Sequence, residues 1–497
     1  MPARRPWRRH AEVARLSRED YPVRRSKNPR EVIRDTGTAR RAIFLALLSL
    51  LWGFIVFQYG GVVAWDQKLY LLALGILTLA YWLMARDCAA GVPSLIRWAA
   101  CLLPLYIAFQ LVPLPGLLIS VLSPGRYELM RGLMPLVPGE KTATLSVVPG
   151  ATMSQFLLVC GYALVFFMTS SMATDWAERR WIVVAPLGLV AVSEAVLGIL
   201  QAVGEQRARG TYVNPDHYAG LLEMALPFTL TYPLAVWRKI DTRRGFPIGP
   251  AVRMCLSLGM AAVILMGTLA SLSRMGFIAP LFSVLVMGIV AWWGTGWRSA
   301  GLAVLLALAL VGTFIFLPSN ELISRFSHAS QEISAEGRTM LWRESLQVLR
   351  AFPIFGCGLG GFESAFLRYK ISTPMVRDNY AHNDYLQFLI ELGIVGFAIG
   401  VVLFASIFSR TWRIASRRRD PGRRFLALGC LGALTAIGLH SFVDFNLYIP
   451  ANAMLLAWIA GVASSLNQDL DGNHLAAIGL PVTIDIAPQA GGASRRT

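Results

Sequence analysis

The sequence predicts an all-α fold: a polytopic helical membrane bundle of about twelve transmembrane helices with a helix-bearing periplasmic loop. Two observations lead to this prediction. Hydrophobic residues make up 55% of the 497 residues and charged residues only 15%, which exceeds the apolar content that a water-soluble core requires. Apolar runs of about 20 residues, the length that crosses about 30 Å of hydrocarbon as a helix, recur along almost the whole chain.

The predicted spans follow these apolar runs in order. They lie near residues 42–61, 67–85, 95–113, 153–173, 180–203, 218–236, 253–271, 275–296, 299–317, 386–409, 423–445 and 450–466. The segment before the first run has no cleavable signal pattern, so we expect this run to be a retained signal-anchor.

Lys and Arg are distributed unevenly along the chain, and this asymmetry predicts the orientation. Basic residues crowd the tail at 1–41 and the loops at 237–252 and 410–424. Basic loops resist translocation, so both termini, including the polar tail at 467–497, are predicted to be cytoplasmic. The net charge of +17 is explained by this topology and by anionic lipid headgroups. Nucleic acid is therefore not expected as a partner.

The chain between the tails, 42–466, is predicted to be one membrane domain. Two external segments, at about 114–152 and 318–385, are too long for simple turns, and long connections are commonly functional. The second contains an apolar stripe at helical spacing from Arg338 to Phe352, closed by Pro353. We therefore expect a large periplasmic loop that carries a helix.

The cysteines and acidic residues argue against a metal site. Six cysteines are present without paired metal-ligand spacing, and only Cys357 falls in a long external segment. The predicted outer face has no cluster of Asp and Glu at metal-binding spacing. No metal or other cofactor is predicted.

Arginines on the predicted outer face indicate an anion-binding site. Arg207 and Arg209 lie in the loop that enters the sixth span, and Arg274 lies in the hairpin turn between the seventh and eighth spans. A guanidinium at the membrane boundary can hold phosphate oxygens in a bidentate fork. The alternative for Arg274 is a snorkelling contact with lipid phosphate. Taken together, the arginines favour a clamp for a diphosphate.

Two histidine-containing motifs could supply acid–base chemistry. His382 begins the tenth span with polar neighbours Asn383 and Asp384. An imidazole that titrates near neutrality can take a proton from an attacking hydroxyl, although a lone histidine at a helix start is also compatible with a cap. His440 and Asp444, four residues apart, share one helix face near the outer end of the eleventh span. They are either a structural bridge or an active pair.

A glycine string in the second external segment matches G-x-G-x-x-G at Gly356, Gly358 and Gly361. No predicted strand precedes it and no strand–helix–strand unit surrounds it, so a dinucleotide site is not predicted. The string is interpreted as a tight turn that closes the predicted helix.

These motifs, in their order and spacing, resemble the O-antigen ligase family, which also includes O-antigen polymerases and bacterial O-oligosaccharyltransferases. The resemblance rests on Arg-x-x-Gly-Thr-Tyr-x-Asn-Pro at Arg207, Ser-x-Ser-Arg at Arg274, Gly-Arg-x-x-x-Trp at Arg338, and His-Asn-x-x-Leu-Gln at His382. It covers most of the membrane region, with the core motifs at about 205–395.

The resemblance implies metal-independent glycosyl transfer on the periplasmic face of the bacterial inner membrane. The donor would be a glycan on undecaprenyl diphosphate, and the acceptor a sugar hydroxyl such as that of the lipid A core. Arg207 and Arg274 would hold the diphosphate leaving group, and His382 would activate the acceptor. Further polar residues of the motifs are expected to bind substrate: Arg209, Asn214, His217, Arg338, Asn383, Gln387, His440 and Asp444. Asp216 and His217 depart from the family, where many members have a neutral polar pair.

Two alternatives share parts of this pattern. A polymerase that joins repeat units would use the same donor, with the glycan chain as the acceptor. A secondary transporter would place ionisable residues near the bilayer midplane, where Glu194 and Glu223 are the main carboxylates. The polar motifs gather at one face and no inverted repeat is visible, which disfavours a transporter. The identity of the glycan, the acceptor, the oligomeric state and the role of the basic tail are left open.

Overall fold

The computed structural model describes residues 29–84, 91–136, 141–177, 179–204, 206–240, 247–295, 333–371, 378–417 and 420–466. Most of the predicted basic tail, the span predicted at 299–317 and the predicted tail at 467–497 lie outside the described residues. The chain divides into a short unit, Met1–Ala46, which contains the start of the first helix, and a large unit, Leu47–Thr497, to which all contacts below belong.

Helices make up most of the described chain. Their bounds are α1 Pro29–Phe57, α2 Ala64–Met84, α3 Ser94–Gln110, α4 Gly116–Leu122, α5 Pro124–Leu133, α6 Pro149–Asp175, α7 Trp181–Val203, α8 Pro215–Trp237, α9 Ile248–Ala270, α10 Arg274–Thr295, α11 Ile333–Ala351, α12 Phe362–Phe366, α13 Asp384–Ser416, α14 Pro421–His440 and α15 Pro450–Ser465. A small antiparallel sheet pairs β1, Leu114–Pro115, with β2, Thr142–Ala143.

The membrane spans confirm the predicted fold class. Within the described residues nine helices are long and apolar enough to cross a membrane, namely α1 from Ala39 onward, α2, α6, α7, α8, α9, α10 to Trp292, α13 and α14. Each coincides with a predicted span. The predicted spans at 95–113 and 450–466 correspond to α3 and α15, which are apolar but shorter. The protein is therefore a multi-pass membrane protein with an all-α fold.

Local sequence explains where several spans begin and bend. Asn214 caps α8 by accepting a hydrogen bond from Asp216 N at 2.9 Å, and Asp420 caps α14 in the same way. A proline at the first helical position follows both caps, where its missing N–H has no consequence. Gly393 interrupts α13 with φ 63°, a left-handed conformation suited to glycine. α13 therefore consists of two helical segments.

Helices α8 and α14 form the most buried pair among the described spans. The apolar window of α8 is 78% buried and that of α14 is 72% buried. α8 packs against α7, α9, α10 and α14. Gly432 of α14 permits close approach, because a Cβ there would lie 2.9 Å from both Pro227 Cβ of α8 and Ser283 Oγ of α10. Polar side chains on these two helices are therefore shielded from lipid.

The described parts of the two long segments between spans contain further helices. α11 confirms the helix predicted at 338–352, although it begins at Ile333 and therefore includes Gly337. α11, α12 and the start of α13 share one buried apolar cluster: Leu341, Val348, Phe352, Cys357, Phe362, Ala365, Phe366, Ala381 and Ile390. The segment predicted at 114–152 contains α4, α5 and the small sheet.

The glycine string forms a tight turn between α11 and α12, as predicted. Gly356, Gly358 and Gly360 have φ values of 75°, 95° and 80°. The buried Glu391 of α13 holds this turn, because its carboxylate accepts hydrogen bonds from Gly360 N at 2.7 Å and Phe362 N at 3.1 Å. The turn is thereby fixed to the helix that begins beside His382.

Candidate active site

Three histidines surround one buried aspartate at one end of α8, α13 and α14. Asp444, in the loop after α14, places Oδ1 3.5 Å from Nδ1 of His382 and Oδ2 3.5 Å from Nε2 of His217. His440, the last residue of α14, places its Nε2 4.0 Å from the same Oδ2. The predicted pair of His440 and Asp444 therefore belongs to a larger group that contains the predicted base. We call these four residues the histidine cluster.

The surroundings of Asp444 keep its carboxyl ionised. Burial by itself raises the pKa of this carboxyl, but the adjacent imidazoles of His217 and His382 hold the pKa of Asp444 well below its usual range. A carboxylate in this position stabilises the protonated form of an imidazole that faces it. The cluster therefore places a buried negative charge 3.5 Å from the imidazole of His382.

The backbone holds His382 in an unusual conformation. Its φ of 49° lies in the left-handed region, which residues with a Cβ seldom adopt and which is enriched at functional sites. Asn383 caps α13 by accepting a hydrogen bond from its first turn, and Gln387 accepts one from Ala381 N at 2.9 Å. The side chain of His382 is 36% exposed, against 3% for Asp444. His382 is therefore the member of this pair that a substrate can reach.

Aromatic rings line the histidine cluster on one side. Phe445 packs edge-on against His217 and His382, with ring centroids 4.6 Å and 4.8 Å apart. The ring of Tyr380 stacks on the ring of Phe445, with the two ring centroids 4.1 Å apart. These contacts restrict the imidazole rings, and the low exposure of Asp444 strengthens its interaction with them.

Arg207 connects the loop before α8 to the turn between α9 and α10. Its Nε donates to Ser271 O at 3.0 Å, and its Nη2 lies 3.7 Å from Asp216 Oδ1. The side chains of Arg207 and Asp216 are each about one-third exposed, at 32% and 30%. Asp216 immediately precedes His217, so this ion pair lies at the same end of α8 as the histidine cluster.

The turn that carries Arg274 lies beside the start of α8. Leu272 has φ 53°, an outlier for a leucine, and Arg274 is the half-buried first residue of α10. Gly276 lies against α8, since a Cβ at that position would be 2.8 Å from Ala219 Cβ. Arg274 therefore begins its helix close to the end of α8 that carries His217.

Glu194 of α7 holds the loop between α7 and α8 that contains Arg207 and Arg209, here called the arginine loop. Its buried carboxylate accepts hydrogen bonds from Thr211 N at 2.9 Å and from Thr211 Oγ1 at 2.6 Å. Gln201, also on α7, donates to Gly210 O at 2.7 Å. This carboxylate, considered above as a transporter site, serves here to position the loop between Arg207 and α8.

The other predicted site residues have different surroundings. Trp342 of α11 donates from Nε1 to Ala381 O at 2.8 Å, which brings the helix of Arg338 to the residue before His382. Arg338 is half-buried on α11, and Arg209 is exposed with its N–H bonded to Gln201 Oε1. Their contacts with substrate stay predictions, as do those of the two capping asparagines.

Comparison with known proteins shows which family this chain resembles. Residues 259–401 match the O-antigen ligase family. The match confirms, for this segment, the resemblance to the O-antigen ligase family. A stretch of 91 residues is also 31% identical to a probable peptidoglycan glycosyltransferase, FtsW, of Geobacter metallireducens. That stretch is 17% of this chain and spans only 24% of the relative's length.

The matched O-antigen ligase segment contains only part of the site. Inside it lie Arg274, Arg338, His382, Asn383 and Gln387. Outside it lie Arg207, Arg209, Asn214, His217, His440 and Asp444. The partners of His382 in the histidine cluster therefore come from chain before and after the matched segment, and the fold brings them together.

Two residues of the site were not predicted from the sequence. Glu223 of α8 places Oε1 3.0 Å from Nδ1 of His440, and Phe445 forms the aromatic wall. The sequence position of Glu223 did indicate a polar contact, because a carboxylate inside an apolar run requires a polar partner. The position of Phe445 gave no such indication, since aromatic residues near span ends are common.

Proposed function

We propose that the protein is a membrane glycosyltransferase of the O-antigen ligase type. It transfers a glycan from undecaprenyl diphosphate to a sugar hydroxyl, such as that of the lipid A core, without a metal ion. The reaction takes place on the periplasmic face of the inner membrane, and both termini are cytoplasmic. The observation that carries this proposal is the histidine cluster, in which the partly exposed His382 faces the buried carboxylate of Asp444.

In the proposed reaction the acceptor hydroxyl attacks the anomeric carbon of the glycan. The bond from that carbon to the diphosphate oxygen breaks, and undecaprenyl diphosphate leaves. Nδ1 of His382 faces Asp444, so Nε2 is the atom available to take the hydroxyl proton. The resulting imidazolium is stabilised by the carboxylate, and the contact of 3.5 Å is expected to shorten in the substrate complex.

Arg207 and Arg274 are proposed to offset the charge that develops on the diphosphate. Both belong to the end of the bundle that carries the histidine cluster, and Arg207 bonds to the turn of Arg274 through Ser271 O. Fixed guanidinium groups stabilise a departing diphosphate where other enzymes use a divalent cation. Within the described residues no group of three or more His, Cys, Asp and Glu side chains could hold a metal ion.

Deletion of the gene tests the proposal and its main alternative. A ligase predicts loss of the long lipopolysaccharide bands together with accumulation of lipid-linked polymer, because the acceptor is never modified. A polymerase with the same donor chemistry predicts bands with a single repeat unit. An unchanged band pattern, with lipid-linked glycan at wild-type level, would contradict both.

The proposed topology makes a labelling prediction. Met340 of α11 is 53% exposed, and Ile248, at the start of α9, is 81% exposed. In a background without the six native cysteines, Met340→Cys should react with an impermeant thiol reagent from the periplasm. Ile248→Cys should react only after the membrane is opened, because it follows the basic loop predicted to be cytoplasmic. Labelling of Ile248→Cys from the periplasm, with Met340→Cys protected until the membrane is opened, would contradict the proposed orientation.

Chelators are expected to leave transfer unchanged, because the proposal assigns the charge stabilisation to arginines. The measurement is the transfer rate of purified protein with and without EDTA. Dialysing protein and substrates separately against the chelator distinguishes a cation held by the protein from one held by the diphosphate. Loss of activity after dialysis of the protein alone, with recovery on adding a divalent ion, would contradict the arginine clamp.

A further inference from the structure

One member of the histidine cluster, His440, has a second carboxylate partner besides Asp444. His440 Nδ1 contacts Glu223 Oε1 at 3.0 Å, and both side chains are essentially inaccessible, at 1% and 0% exposed. They lie on α14 and α8, the most buried pair of spans. Protein encloses both side chains, and the reaction proposed above gives them no direct part.

The geometry restricts where the protons of His440 can be. Nε2 faces the ionised carboxylate of Asp444 and must therefore carry a hydrogen, because two acceptors would repel. Nδ1 faces Glu223 at hydrogen-bond distance, so one further proton lies between Nδ1 and Oε1. A short contact between an imidazole and a buried carboxylate is a charge-assisted hydrogen bond. With that proton on Nδ1, His440 carries positive charge beside Asp444.

We propose that Glu223 and His440 form a buried pair that sets the basicity of His382 through Asp444. The pair holds one proton, and the positive charge on His440 competes with His382 for the Asp444 carboxylate. His382 is consequently a weaker base than it would be with Asp444 alone. Both members are positioning residues, and the inference rests on the proposed function because it concerns the same transfer.

The other charged groups around Asp444 do not alter this assignment. From α8, His217 contacts Oδ2 at 3.5 Å, and Asp216 is paired with Arg207. From α13, the buried Asp384 is held by Ser441 Oγ at 2.8 Å and Leu447 N at 3.2 Å. From α14 only His440 reaches Asp444 among the described residues. Among the residues that the structure describes outside the cluster, Glu223 is the one whose carboxylate lies at hydrogen-bond distance from an imidazole of the cluster.

Replacing Glu223 by glutamine should make His382 more basic. Without the carboxylate, the buried His440 sheds its extra proton, and the glutamine amide can donate to Nδ1 instead. One positive charge then disappears beside Asp444. The negative charge of Glu223 is lost as well, but it lies farther from Asp444, beyond the ring of His440. Its loss therefore has a smaller effect on His382. A base must be unprotonated to act, so a raised pKa of His382 moves the acidic limb of the activity profile to higher pH, by about half a pH unit or more.

The test measures the pH profile of kcat/KM for full-length protein in membranes of the deletion strain. The donor and acceptor are the lipid-linked glycan and the core lipid that accumulate in that strain. Variants Glu223→Gln and the double variant Glu223→Gln/His440→Gln are compared with wild type. In the double variant two glutamine amides replace the carboxylate and the imidazole. No buried charge is left without a partner, so the variant is expected to fold. Glu194→Gln is the matched control, a buried carboxylate that positions the arginine loop and does not contact Asp444 among its described contacts.

Equal shifts of the acidic limb to higher pH in both variants support the proposal. Glu223 is proposed to act only through His440, so replacing His440 as well should cause no additional shift. Glu194→Gln should lower kcat/KM without moving the limb. The proposal is overturned if either variant reaches normal protein level and keeps the acidic limb at its wild-type pH. It is also overturned if the control shows an equal shift. Failure of both variants to accumulate also overturns it, since the pair is then a folding element. Full activity of a parallel His382→Ala variant would instead refute the assigned base itself.

Discussion

Replacement of His382 by alanine should abolish glycan transfer while binding of the lipid donor persists. In the proposed reaction the imidazole acts on the proton of the acceptor hydroxyl, and removal of a general base typically lowers the rate by about 10²- to 10⁴-fold. The proposal assigns donor binding to Arg207 and Arg274, which the change does not alter. The side chain is 36% exposed and lies before the first turn of α13, so its loss creates no large cavity.

The left-handed backbone of His382 requires a matched variant in this experiment. Asparagine tolerates a φ near 49° better than alanine does, so His382→Asn removes the base with little added strain. Both variants should lose transfer at normal protein level, and both should bind undecaprenyl diphosphate like the wild type in native mass spectrometry. Activity retained by the asparagine variant but not by alanine would mean that the residue matters for its backbone conformation.

The fold could be predicted from the sequence to a large extent because lipid imposes a simple rule. Every backbone polar group inside a membrane must be satisfied within a helix, so apolar runs translate directly into spans. The break in α13 could not be predicted this way. Gly393 is one glycine among many in apolar runs, and only its contact with the turn at Gly356 explains its φ of 63°.

The histidine cluster was predictable only where its members are close in sequence. His440 and Asp444 are four residues apart, and helical spacing alone places them together. His217 and His382 come from segments separated by two other described spans, and their convergence on Asp444 depends on how α8, α13 and α14 pack. A single sequence carries no signal for such contacts.

The partner of Arg207 illustrates a second limit. Asp216 follows it by nine residues, across a loop whose path is set by Glu194 and Thr211. The sequence indicated a basic loop that could bind an anion, but it did not reveal that one arginine already contacts a carboxylate. In the proposed reaction Arg207 must therefore interact with the diphosphate while Asp216 remains nearby, which limits how tightly the free product is held.

Arg274→Lys should impair transfer severely although the charge is kept. If the guanidinium grips two phosphate oxygens, lysine retains one point charge and loses the paired geometry. Hydrogen bonds to charged groups contribute about 1.5–3 kcal/mol, so the loss of one should lower kcat/KM by about 10- to 100-fold. The measurement compares transfer rates and undecaprenyl diphosphate binding at equal protein level.

Arg253→Lys provides the matched control for this change. Arg253 is an exposed arginine near the other end of α9, where its Nε donates to Gly249 O, and the proposed reaction gives it no role. Its replacement should leave both measurements at wild-type values, since lysine can snorkel to lipid phosphate as well as arginine. If Arg274→Lys behaved like this control, Arg274 would be reduced to a headgroup contact. The diphosphate would then have to be held by Arg207 and its neighbours, despite the carboxylate of Asp216 beside it.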